Sequence, residues 1–171
     1  MKYKRLAKKE LESLEREFIM FLSSQSIEAE EWEKLKKTDK KKAEGLIDIF
    51  SDLVWEKILS ANNYTEKLDA KEFRTALYGE KQAQMIIAKV LEGSKISFKT
   101  KNLIKVMQNG IKKGEVELYR ATKSYTKTRE MEMMDAIKEG AFVSRGNWYK
   151  ALQEIVAISG AEDEPDSDEE E

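Results

Sequence analysis

Glu72-Phe73-Arg74-Thr75-Ala76-Leu77-Tyr78 is the stretch that decides the fold class of this 171-residue chain. It alternates, with Phe73, Thr75 and Leu77 on one side, and so reads as a strand. Gly79 punctuates it. The following run, Gln84–Leu91, holds Ile86, Ile87 and Val90 and suits either a helix or the second strand of a hairpin; the strand is favoured. Val116–Thr122 alternates again, with Val116 and Leu118 on one face, and Ala141–Ser144 reads as a short apolar strand.

Working outward, the rest of the chain has helical periodicity. Residues 5–24 place Ala7, Leu11, Leu14, Phe18, Phe21 and Leu22 in one stripe about 100° wide, which predicts one amphipathic helix. Ser24-Gln25-Ser26 breaks it, and Ser26 is read as the cap of a short helix through Trp32 and Leu35. Thr38-Asp39 starts a long helix to Leu59. It is apolar on most of its circumference, so it is expected to be central and buried on several sides. Thr100–Lys113 predicts an amphipathic helix with Leu103, Ile104, Val106, Met107 and Ile111 inward and Gly114 just past its end. Thr128 caps a helix to Lys138, ended by Gly140. Asn147 caps a final one with Trp148, Leu152, Ile155 and Val156 on one face, and Gly160 closes the body. A helical N-terminal half followed by a mixed second half gives an α+β fold, with all-α as the competing reading. One globular domain is expected over 1–160 and a disordered acidic tail over 161–171.

Composition bounds the chemistry. The chain has no Cys and no His, so imidazole bases, thiolate nucleophiles, serine triads and Cys/His zinc sites are excluded. It has no GxGxxG and no GxxxxGK[ST] loop. No run reaches signal-peptide or membrane-span length, and the expectation is a cytoplasmic protein without membrane attachment. No cofactor is implied.

Charge is unevenly distributed. Glu162–Glu171 holds eight acids in ten residues, too charged and too poor in apolar residues to fold. Removing them leaves 31 basic against 25 acidic residues. The excess lies in one region, which holds Lys95, Lys99, Lys101, Lys105, Lys112, Lys113, Arg120, Lys123, Lys127 and Arg129 against Glu115 and Glu117. Lys101, Lys105 and Lys112 fall on one ridge opposite the apolar stripe of their helix. Downstream, Tyr119 and Tyr125 interleave with the cations. Lysines that neutralise phosphates, beside tyrosines that stack on unpaired bases, suit a nucleic-acid or polyanion surface; a solvated lysine-rich face is the plainer reading. The tail is a candidate counterpart for this region in the same chain. Asp48, Asp52 and Glu56, at i, i+4 and i+8, form one carboxylate stripe on the long helix. They read either as a hard-cation or acid/base site with pKa values raised by apolar flanks, or as a salt-bridged helix edge. Met131, Met133 and Met134 read as core filling.

Residues 1–59 resemble a family of small, uncharacterised cytoplasmic proteins of Bacteroidota-type bacteria. The likeness rests on the Met1-Lys-Tyr start, Phe18…Phe21-Leu22, Ile27…Trp32 and Phe50-Ser-Asp-Leu-Val-Trp55. The resemblance implies no activity, cofactor or site residue. Some members carry a histidyl-tRNA synthetase label, which this chain does not support: it is too short for a synthetase core and has no candidate ATP-binding motif. The functional expectation is a non-enzymatic binding or accessory protein whose partner is RNA, an RNA–protein assembly or another protein. The alternatives are a carboxylate-based or Mg-dependent enzyme using Asp48, Asp52 and Glu56, and a purely structural scaffold.

Overall fold

The computed structural model describes residues 1–159; Gly160 and the acidic segment lie outside the described residues, as do the expectations placed on them. The fold is α+β. The chain divides into two compact units, Met1–Ser60 and the residues from Ala61 onward. No helix among the described residues is long and apolar enough to cross a membrane.

The first unit is helical. The single helix expected over 5–24 is two: α1 (Lys8–Ser13) and α2 (Glu15–Ser24). They part at Leu14, whose ψ of 23° departs from helical geometry. No Gly or Pro marks that break. α2 closes where Ser26 takes φ 59° and the Ile27 N–H reaches back to Leu22 O at 3.0 Å. Leu22 and Ile27 then pack together, the apolar contact that accompanies this type of helix end. Ser26 therefore terminates α2 rather than capping α3 (Ala29–Thr38), whose N-cap is Glu28. Phe18, Phe21, Trp32, Leu35 and Leu46 complete the cluster. α4 (Lys40–Ala61) starts at Asp39, whose carboxylate accepts the Lys42 N–H at 3.0 Å. Its Ala43, Leu46, Phe50, Trp55 and Leu59 are buried, but Ile49 and Leu53 are 54% and 55% exposed. The expectation of burial on several sides fails along that row, because an all-round apolar pattern carries no phase to say which row faces solvent.

The second unit is built on a five-stranded antiparallel sheet in the order β4-β3-β2-β1-β5. Its strands are β1 (Tyr64–Leu68), β2 (Glu72–Tyr78), β3 (Gln82–Val90), β4 (Val116–Ser124) and β5 (Phe142–Ser144). The strand reading of Gln84–Leu91 holds as β3. β2 and β3 join through Gly79, whose N–H meets Gln82 O at 3.0 Å. Phe73, Ile86, Ala88, Val116 and Leu118 cover one face of the sheet. They pack on α5 (Leu103–Lys112) through Leu103 and Met107, and on α7 (Asn147–Ser159) through Tyr149, Leu152 and Val156. Gly114 follows α5 at φ 66°. Ile104 does not turn inward as expected; it is 55% exposed, at the margin of the stripe that Leu103 and Met107 bury. The other face of the sheet meets α6 (Arg129–Lys138), whose Met133 and Met134 are fully buried.

Candidate functional site

The carboxylate stripe of α4 is tied to the start of the chain. Arg5 Nε lies 2.5 Å from Asp48. The backbone N–H groups of Lys2 and Tyr3 donate to Asp52 at 2.6 and 2.8 Å. Lys2 Nζ and Tyr3 OH both donate to Glu56, at 2.7 and 2.6 Å. The hydrogen bond from Arg5 holds the Asp48 carboxyl below its ordinary range, and those from Lys2 and Tyr3 do the same for Glu56. The raised values expected from apolar flanks are thus reversed, because donors within hydrogen-bond reach outweigh partial burial. Among the described residues no group of three or more carboxylates is placed to hold a metal ion.

The basic region separates into two surfaces. On the first, Lys95, Lys99, Lys101, Lys105, Lys112 and Lys113 are all exposed. Lys105 and Lys112 lie on the solvent side of α5, and Lys101 sits in the turn just before it. Exposed Ile104 lies next to this lysine face. Lys71 Nζ holds the preceding segment by donating to the carbonyls of Ser94 and Ile96, both at 2.7 Å.

The second surface holds Lys123, Tyr125, Lys127 and Arg129, and here the charges are engaged. Glu132, only 6% exposed, accepts the Thr126 N–H at 3.0 Å, the Thr126 hydroxyl at 3.2 Å and the Lys127 N–H at 3.2 Å on one oxygen. Its other oxygen faces Lys123 Nζ at 3.2 Å. Burial pushes the Glu132 carboxyl up, but these donors and the Lys123 charge bring it below its ordinary value. Lys127 pairs with Asp135 at 2.5 Å. Arg129 binds Glu130 and the Tyr78 carbonyl, and also reaches Asn62 O and Asn63 Oδ1, joining the ends of β1 and β2. Tyr125 stacks on Tyr78 at 6.4 Å and donates to Gly79 O at 3.1 Å. Arg120 lies apart from both groups, on the α7 side of the sheet near Tyr149.

Between this second surface and α6 the sheet forms a cleft of about 720 Å³. Its floor is made of Ala76, Ala83 and Ala121, and register sets the last two beside Tyr78 and Met85. Three small residues on adjacent strands leave the space that longer side chains would fill. Sequence reasoning found Lys123 and Tyr125 on this cleft and missed Lys67, Arg74 and Lys89, which lie outside the basic region and meet only through strand pairing. The signal was available in β2, where Arg74, Ala76 and Tyr78 alternate opposite the apolar side.

Among curated proteins and among solved structures, none matches this chain. Over residues 1–157, both units included, its sequence matches one family, and the chain therefore belongs to the family of unknown function DUF6495.

Proposed function

We propose that this protein is a cytoplasmic, non-enzymatic binding protein that holds the phosphate backbone of an RNA, free or within an RNA–protein assembly, on the lysine face of α5. One observation carries the reading: Lys99, Lys101, Lys105, Lys112 and Lys113 are exposed and meet no acid among the described residues, whereas Lys123, Lys127 and Arg129 are spent on Glu132, Asp135 and Glu130. Unpaired lysines on and beside one helix are suited to release counterions from a polyanion. The acidic segment 162–171 then acts as a competitor in cis, a role that rests on its charge alone. The likeness to small cytoplasmic proteins of Bacteroidota-type bacteria belongs to the same reading, and nothing in it draws on synthetase chemistry.

The test is filter binding of the full chain to a single-stranded RNA across a salt series. The triple variant K101E/K105E/K112E is expected to bind at least about tenfold more weakly. Its log–log salt slope should be shallower by about 2, at roughly 0.7 for each phosphate that is no longer neutralised. A truncation before residue 162 is expected to bind more tightly. Equal affinity of the triple variant and the parent would refute the proposal.

A further inference from the structure

We propose that the cleft on the α6 side of the sheet binds a small organic oxyanion. Its phosphate or carboxylate sits at Lys67 and Arg74, and its flat apolar body lies on the alanine floor. The site is separate from the α5 lysine face, none of whose residues line it.

Three independent observations converge. The first is register. Lys67 on β1 stands directly opposite Arg74 on β2, and Arg74 stands opposite Ile87 on β3, two residues from Lys89. Lys67, Arg74 and Lys89 all line the cleft. Like charges directly opposed on neighbouring strands repel, so the Lys67–Arg74 pair costs the free protein stability.

The second is satisfaction. Among the described residues, no acid that lines the cleft forms an ion pair with Lys67 or Arg74. Glu132 is occupied by Thr126, Lys127 and Lys123, and Asp135 by Lys127 and Lys138. Glu139 lies exposed beyond the end of α6. Glu72 meets one terminal nitrogen of Arg74 at 3.0 Å. Arg74 Nε is buried and has no acceptor. A buried N–H left unpaired loses the hydrogen bonds it made to water. The Arg74 side chain is 41% exposed, so its guanidinium can still meet an oxyanion from the cleft, and Lys67 opposite supplies the second charge.

The third is space. The cleft volume falls within the range of small-molecule sites; Lys67, Arg74 and Lys89 stand at one end of the alanine floor, and at the other Lys123, Glu132 and Asp135 are engaged in ion pairs. Met85 and the stacked pair of Tyr78 and Tyr125 border the alanines. A flat apolar body fits an alanine floor bordered in this way. The occupant is therefore an aryl phosphate or an aryl carboxylate by class.

The experiment is a titration of the full, isotopically labelled chain followed by amide resonances, with phenyl phosphate, benzoate and inorganic phosphate as separate probes. Saturable shifts at Lys67, Arg74 and Ile87 are expected below about 20 mM of one aryl anion, within the weak-affinity range of a fragment. Whichever of phenyl phosphate and benzoate binds more tightly identifies the headgroup. Arg74→Gln is expected to weaken binding at least about tenfold and Lys67→Gln several-fold. Without any anion, Lys67→Gln is expected to raise Tm by about 1–3 °C by removing the like-charge pair. K101E/K105E/K112E should bind the aryl anion as the parent does, so failure of the RNA reading leaves this result standing. The proposal is overturned by the lack of saturable shifts at these residues with either aryl anion. It is also overturned by unchanged affinity in Lys67→Gln, the milder variant, should Arg74→Gln fail to fold. Inorganic phosphate binding as tightly as phenyl phosphate would remove the role given to the alanine floor.

Discussion

The ring of Tyr64 fills the space that a side chain at position 146 would need. A Cβ on Gly146 would stand 2.6 Å from Cγ, Cδ1 and Cδ2 of that ring. Gly146 also has φ 74°, and Tyr64 is held from another side by Tyr149, at 5.7 Å between ring centres.

Gly146→Ala therefore meets two obstacles, a left-handed backbone and a ring that must shift against Tyr149. The expected loss is about 2–4 kcal/mol in urea denaturation. Gly114 separates the two effects: its φ is 66°, but a Cβ there meets nothing within 4 Å. Gly114→Ala is expected to cost only about 1 kcal/mol. Equal losses at the two positions would show that the Tyr64 ring offers no resistance.

Glu132 makes stability depend on acid pH. Its carboxyl is depressed in the folded chain, so the native state holds fewer protons than the unfolded one around pH 4. Its contribution is complete above the ordinary glutamate range, about pH 4.3, and is lost as pH falls through the folded value. Glu132→Gln, which keeps one acceptor but no charge, is expected to cost about 1–3 kcal/mol at neutral pH and to flatten the acid limb of a Tm-against-pH curve. A parallel downward shift with the limb intact would assign the acid sensitivity to another group.

Asp52 fixes the first residues through two backbone donors, Lys2 N–H and Tyr3 N–H. Asp52→Ala is expected to speed hydrogen exchange at both amides and to lower stability by about 1–2 kcal/mol. Protection unchanged at residues 2 and 3 would mean that Arg5–Asp48 and Lys2–Glu56 are enough to hold the segment.

Tyr125 is expected to titrate late. Burial pushes its phenol up to about 12, against the pull of nearby Arg129. A folded value above the unfolded one of about 10 gives stability that is fully present below pH 10 and is lost as pH rises through 12. The tyrosinate absorbance of the parent minus that of Tyr125→Phe should rise near 12. A rise near 10 would place the hydroxyl in water rather than on Gly79 O.

Much of this fold was legible because its pattern had a clear period. β2 reads from its alternation, and α5 from an apolar stripe opposite lysines. β1 was missed because Tyr64-Thr-Glu-Lys-Leu places charges at its centre, where one of them, Glu66, is nonetheless buried. The break at Leu14 has no local cause in residue type. The exposure of Ile49 and Leu53 was hidden for the opposite reason, since a helix apolar all round does not say which row packs. Lys105 and Lys112 of the α5 lysine face were visible as spacing along one helix; Lys101, expected on the same ridge, lies in the turn before it. The Lys67–Arg74–Lys89 cluster was not visible, because its members come from three strands and become neighbours only through pairing register.

The sheet order also bears on self-association. Among the described residues β4 pairs only with β3, and β5 only with β1, so each presents a row of backbone donors and acceptors outward. β5 has three residues, too few to template a further strand. β4 has nine, but Glu117, Arg120 and Lys123 punctuate it with charges of both signs. A strand from another molecule docking there would have to strip water from three ionic groups, so the sheet guards one margin by brevity and the other by charge.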